Sequence, residues 1–269
     1  MAYKNIILKK QDHIATVTLN RPRRLNSLNE EVFQELIDAF DNVGRDAEMR
    51  VLVITGAGDR AFSSGADLKL PGEGGEQAAY ERKPILARDI ERTWPQGTIR
   101  ALRRLEIPTI AAINGVATGG GYDLALACDI RIGSENARFM VAFARLGVTP
   151  IMGGSWTLPR IVGFAKAAEL LFTGNFVEAE EAYRIGLLNK LVPHSKLMEE
   201  TMVMAGTIAS RPPIGIRMSK MLLYRDQEVS LETALEMACM SSAIVQNTED
   251  FDEAIAAFRE KRQAIVKGK

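Results

Sequence analysis

The chain has 269 residues, enough to bury one large core or a core with a small appended subdomain. Its 34 Lys and Arg balance 34 Asp and Glu, so no overall basic surface calls for nucleic acid or an anionic membrane, and neither is expected as a partner. No apolar stretch reaches membrane-spanning length, Met1-Ala2-Tyr3-Lys4-Asn5 lacks a signal-peptide core, and Cys128 and Cys239 match no metal-ligand spacing; the expectation is a cytoplasmic enzyme, metal-free, with both thiols reduced in its core.

Alternation in Ile6-Ile7-Leu8 and Ile14-Ala15-Thr16-Val17-Thr18-Leu19 predicts an opening hairpin that turns near Gln11-Asp12-His13. Ser27 or Asn29 then caps a helix in which Val32, Leu36, Ile37 and Phe40 recur at helical spacing. The apolar run Val51-Leu52-Val53-Ile54-Thr55 reads as a buried parallel strand. From Pro71 to about Gln96 the chain is rich in Gly, Glu and Arg and reads as a loop, after which a helix leads to a strand over 109–113. Short strands continue beyond Asp129-Ile130-Arg131-Ile132 until a helix begins near Gly154. From Ala165 onward the pattern is almost entirely helical, broken at Gly174, Pro193 and Arg211-Pro212-Pro213. Alternating units that give way to helices define an α/β chain with a helical extension.

Two segments make the same move. Val51-Leu52-Val53-Ile54-Thr55-Gly56 leads into Ala61-Phe62-Ser63-Ser64-Gly65-Ala66-Asp67-Leu68, and Ile110-Ala111-Ala112-Ile113-Asn114-Gly115 leads into Thr118-Gly119-Gly120-Gly121-Tyr122-Asp123-Leu124. Each is an apolar strand, a glycine turn, then Gly-X-Asp-Leu. A single glycine run reads equally well as a turn that only needs positive φ. Two such turns side by side aim one N–H each at a shared carbonyl oxygen, the arrangement that stabilises an enolate or a tetrahedral oxyanion.

The pair Ser63-Ser64-Gly65-Ala66-Asp67-Leu68 and Asn114-Gly115-Val116-Ala117-Thr118-Gly119-Gly120-Gly121 resembles the crotonase superfamily, the enoyl-CoA hydratases and isomerases. The resemblance covers nearly the whole chain, from Val17-Thr18-Leu19-Asn20-Arg21-Pro22 to Phe258-Arg259-Glu260-Lys261-Arg262. It implies a crotonase-type spiral of β-β-α units over residues 1–195 that binds acyl-CoA, and a C-terminal helical region over 196–269 associated with homotrimers or dimers of trimers. It further implies that the N–H groups of Ala66 and Gly120 polarise a CoA thioester carbonyl, with Gly65, Gly119 and Gly121 shaping the turns. Arg23 and Arg24 fall where relatives place basic groups against CoA phosphates. Ser63 and Ser64 fall along the adenine and pantetheine channel, and Phe258 and Lys261 match a terminal Phe-x-x-Lys that reaches CoA, sometimes on a neighbouring subunit. CoA is part of the substrate, and no separate cofactor is expected.

The chemistry departs from the family pattern. Typical enoyl-CoA hydratases set two glutamates about one water; here the first position holds Asp123 and the second aligns with Phe143. Some relatives use an aspartate shortly after the Leu-Gly pair, and that position holds Ile151. Asp123 is therefore the one acid left, its carboxylate roughly 1 to 1.5 Å further from substrate than a glutamate's. An apolar cleft raises its pKa and a helix N-terminus lowers it. Phe143 and Ile151 imply a bulky, apolar acyl group. Tyr122 points elsewhere on the helix and reads as packing, and His13 and His194 read as surface residues. Glu73, Glu76, Tyr80 and Trp94 are the loop residues from which a partner for Asp123 is to be sought. The expected reaction is enolate formation, leading to hydration or double-bond isomerisation of an enoyl-CoA. Hydrolysis or carbon–carbon cleavage through the same oxyanion hole, and acyl-CoA binding without turnover, stay open.

Overall fold

Residues 3–67 and 94–269 are described by the computed structural model, in which the strands from the third to the eighth alternate between two sheets. The larger sheet runs β1 (Ile6–Gln11), β2 (Ile14–Leu19), β3 (Val51–Gly56), β5 (Thr109–Ile113), β7 (Ile130–Ser134), β10 (Lys190–Val192). The smaller runs β4 (Ala61–Ser63), β6 (Val116–Thr118), β8 (Arg138–Met140), β9 (Phe176–Glu178). Only the β1/β2 and β8/β9 pairs are antiparallel. The strand pairs β3–β4, β5–β6 and β7–β8 each step from the large sheet to the small one. The helices Pro95–Arg104 and Gly120–Ala127 follow the first two pairs. That is the β-β-α spiral of the crotonase fold, succeeded by helices.

Strands β3 and β5 are buried at every position, which is why they read as unbroken apolar runs rather than alternating ones. One face packs Leu52, Ile54, Ala111 and Ile113 with Leu36 and Phe40 of the helix Glu30–Gly44. The opposite face packs Val51, Val53, Ile110 and Ala112 with Leu197, Ala205 and Ala209. The helix Leu197–Ala209 thus completes the core of the sheet, although it lies beyond residue 195. The boundary at 195 and 196 falls inside the 3₁₀ turn His194–Lys196. The next helix, Pro213–Arg225, is pinned to the sheet by a buried ion pair in which Lys220 Nζ lies 2.8 Å from Asp129 Oδ2. The same carboxylate accepts from Thr109 N, Thr109 Oγ1 and the Tyr224 hydroxyl.

The hairpin turns at Asp12 and His13, both with positive φ. Asn29 supplies the cap of Glu30–Gly44, its Oδ1 accepting from Val32 N at 3.0 Å, while Ser27 serves elsewhere. Two expectations need correction. The stretch after Ala165 includes β9 and β10, three-residue strands too short to show a period of two, each recruited by one partner strand. Cys128 is buried but Cys239 is exposed, because its place on the helix Leu231–Gln246 faces outward. The two histidines expected at the surface are both half-buried: His13 Nδ1 lies 2.8 Å from Glu48 O, and His194 Nδ1 lies 3.2 Å from Ser134 Oγ. Among the described residues no helix is long and apolar enough to cross a membrane.

Candidate active site

The two glycine turns meet backbone against backbone. At Gly65, where φ is +82°, an added Cβ would lie 2.7 Å from Thr118 O and 3.1 Å from Gly120 N. At Gly121 it would lie 2.5 Å from Ser63 O. Side chains at either position would force the turns apart. Thr118 Oγ1 donates to Ser64 O at 2.9 Å and ties the turns across the gap. Two buried asparagines brace the turns from below. Asn114 Nδ2 donates to the carbonyls of Gly56, Gly58 and Ala61, and Asn26 Nδ2 to those of Ala57 and Ala61.

This arrangement leaves the N–H groups of Ala66 and Gly120 outside the hydrogen bonds that join the turns. Leu28 N donates to Gly65 O and Asp67 N donates to Leu28 O, at 2.8 and 3.2 Å. In a parallel bridge of this kind the residue between, Ala66, turns its own N–H away from Leu28. Gly120 opens the helix Gly120–Ala127, so its N–H has no acceptor within the helix. The first intrahelical bond is Asp123 N to Gly119 O at 3.0 Å. Gly119 takes φ +51° to make the entry.

Asp123 is only 2% exposed. Among the described residues neither of its carboxylate oxygens has a hydrogen-bond partner of standard geometry. Burial pushes its pKa up to about 7, and the approaching backbone N–H groups of Gly154 and Met152 offset part of that rise. A group poised there both accepts and returns a proton near neutrality. Tyr122 is buried edge-on to Phe139, with ring centroids 6.1 Å apart, and burial holds its phenol neutral.

The other sequence-derived candidates are distributed unevenly. Ser63 is fully buried and its Oγ accepts from Gly65 N, so its side chain braces the turn rather than facing a ligand; half-buried Ser64 offers its carbonyl to Thr118. Arg23 is exposed and lines a cavity of about 150 Å³ with Pro22, Asn26, Gly58 and Arg60. Arg24 is half-buried, and its Nη1 has no partner among the described residues. Phe143 is buried in the core cluster and Ile151 is half-buried against it. Phe258 and Lys261 lie exposed at the end of the helix Glu249–Glu260 and enter none of the hydrogen bonds that hold the two turns. Trp94 packs against the core and its carbonyl accepts from Thr98. Glu73, Glu76 and Tyr80 lie outside the described residues.

Arg21, Asp67, Met152 and Gly154 lie at the site without having been singled out for it from sequence. Arg21 Nη2 pairs with Asp67 Oδ2 at 3.0 Å, and Ser27 Oγ adds a bond at 3.2 Å. Met152 places its Sδ 3.0 Å from where a Cβ on Gly120 would stand, and Gly154 packs directly on the Asp123 carboxylate. Asp67 belonged to the repeated Gly-X-Asp-Leu, which was signal enough; Met152 and Gly154 lie far along the chain and carried none.

The spiral, with two glycine turns packed backbone against backbone beside a buried acid, defines the class of fold. The enoyl-CoA hydratase/isomerase family matches residues 9–269, and the chain belongs to that family. It is 37% identical to a crotonyl-CoA hydratase of Syntrophomonas wolfei, across 98% of both chains. It is 36% identical to a 1,2-epoxyphenylacetyl-CoA isomerase of Escherichia coli, across 95% of both. The crystal structure of an enoyl-CoA hydratase from Bacillus anthracis superposes with a TM-score of 0.91 at 36% identity, covering 99% of this chain and 100% of that one. The protein is an enzyme of acyl-CoA hydratase/isomerase chemistry.

Proposed function

We propose that the enzyme moves a double bond within an enoyl-CoA by one-acid proton shuttling. The thioester carbonyl accepts from Ala66 N and Gly120 N, which stabilises the enolate oxygen. The Asp123 carboxylate removes a proton from the carbon chain, and the resulting carboxylic acid returns it at another carbon, so that no proton is gained or lost. One observation carries this reading: Asp123 is a buried carboxylate held near neutrality, and the positions to which the resemblance assigns further acids are the apolar Phe143 and Ile151. Hydration is the second reading, favoured by the likeness to the crotonyl-CoA hydratase.

Phe143, with buried Leu28 and Met152 beside Gly120, supports a bulky apolar acyl group, and the likeness to an isomerase of an aromatic acyl-CoA points the same way. Arg24, with its unpartnered Nη1, and Arg23 are the proposed contacts for CoA phosphates, with the Ser64 to Ala66 backbone along pantetheine. The reaction asks for no cofactor beyond the CoA carried by the substrate. Leu231, Leu235, Met240 and Ile244 stand exposed on one helix, and Phe164, Phe172 and Phe258 on others. These apolar surfaces support self-association into a homotrimer or a dimer of trimers, with the region from residue 196 contributing to it. Two free cysteines and a CoA-ester substrate accord with a cytoplasmic location.

The test is incubation with linear and aryl-substituted 2-enoyl- and 3-enoyl-CoAs in D₂O, followed by mass spectrometry. Isomerisation gives a product of unchanged composition apart from deuterium. Addition of one water favours the hydratase reading, release of free CoA or a cleaved chain favours hydrolase or lyase chemistry, and binding without change reduces the protein to an acyl-CoA carrier. Turnover restricted to short linear chains contradicts the bulky-acyl reading.

A further inference from the structure

The Asp123 carboxylate is pressed against a segment that the sequence pattern did not mark. Met152-Gly153-Gly154 forms a turn in which Gly153 takes φ +91°, and from it springs the nine-residue helix Gly154–Val162. At Gly154 an added Cβ would lie 2.1 Å from Asp123 Oδ1 and 3.0 Å from its Cγ. The carboxylate therefore rests directly on the Cα of Gly154, at the end of the helix where unpaired N–H groups and the positive pole gather. Two residues earlier the same turn lays the Met152 Sδ against Gly120, the residue whose N–H is the second oxyanion donor. One short turn thus touches both the acid and the carbonyl-binding backbone.

We propose that this turn is the positioning partner of Asp123, standing in for the missing second acid. The bare Cα of Gly154 lets the carboxylate approach the N-terminal turn of the helix, the positive pole of that turn favours it short of a hydrogen bond, and Met152 packs between it and Gly120. The proposal rests on Asp123 being the proton carrier. An anionic partner in that place would repel the Asp123 carboxylate; backbone N–H groups favour it without adding a second titrating group. Charged neighbours do not compete for this role. Arg160 of the same helix stacks on Trp156, and Arg103 of the packed helix Pro95–Arg104 lies over Trp156 and Tyr224. Arg100 and Arg104 are exposed, and Tyr122 beside Asp123 is neutral.

The experiment compares wild type, Gly154→Ala, Asp123→Ala and the double variant, using an enoyl-CoA that the wild type turns over and thermal unfolding in parallel. Gly154→Ala is expected to lower kcat by about tenfold to a hundredfold with little change in KM, the effect of misplacing a reacting group by about 1 Å. The midpoint of its pH–kcat/KM profile is expected to move upward, since the added methyl pushes the carboxylate away from the N–H groups that favour its ionised form. In the Asp123→Ala background, where the clash has no target, Gly154→Ala is expected to reduce neither activity nor stability further. If Gly154→Ala alone does not fold, folding of the double variant supports the coupling and its failure overturns it. Equal losses in both backgrounds, or an unmoved pH midpoint, would also overturn it. A wild-type rate in Asp123→Ala would instead remove the reading of Asp123 as the acid, a result separate from the others.

Discussion

The two Gly-X-Asp-Leu copies have the same local sequence and opposite electrostatics. Asp67 is buried against Arg21 at 3.0 Å and further held by Ser27. Asp123, buried as deeply, has no side-chain partner among the described residues. A buried carboxylate with a bound cation is a structural brace, whereas one without is unstable as an anion and therefore able to carry a proton at neutral pH. The first turn is fastened so that the second turn can work.

The largest effect is expected where the comparison is broken at the second copy. Asp123→Asn removes the proposed proton carrier and is expected to lower kcat by about 10² to 10⁴, the range for general acid–base groups, with acyl-CoA binding retained when measured by calorimetry. Breaking the first copy should act on stability instead. Arg21→Ala leaves Asp67 buried and unpaired, an electrostatic likeness of Asp123, and is expected to destabilise the fold by about 3 to 5 kcal/mol in urea unfolding.

The second copy should also make stability depend on pH. Below about pH 4, Asp123 is protonated in the folded and unfolded chains alike, so it contributes no difference. As the pH rises toward 7 the unfolded chain ionises while the folded carboxyl holds its proton, and the fold loses stability through this group. Asp123→Asn is therefore expected to match wild type at pH 4 and exceed it at pH 8, by up to about 4 kcal/mol. Urea titrations at the two pH values check the sign. The smallest effect belongs to the link between the copies: Thr118→Ala removes the bond to Ser64 O and is expected to destabilise by about 1 kcal/mol, with a modest loss of kcat.

Much of this arrangement was legible from residues close together in the chain. Strands β3 and β5 announced themselves as apolar runs, Asn29 as a cap, and the two turns as a repeated glycine pattern. What stayed hidden depends on the tertiary fold. The Arg21–Asp67 pair spans 46 positions, and nothing local in Gly153-Gly154 shows that a carboxylate from another helix lies against it. Strands β9 and β10 owe their form to neighbours already in the sheets, and Cys239 faces outward because its helix buries another side.

The most direct test is the pH dependence of kcat/KM for the wild type on a 3-enoyl-CoA. Activity is predicted to rise with a single midpoint near 7, as the buried Asp123 becomes the base, and the rise is predicted to vanish in Asp123→Asn. A midpoint in the ordinary carboxylate range near 4, or an unchanged profile in Asp123→Asn, would contradict the claim that this one buried acid carries the proton.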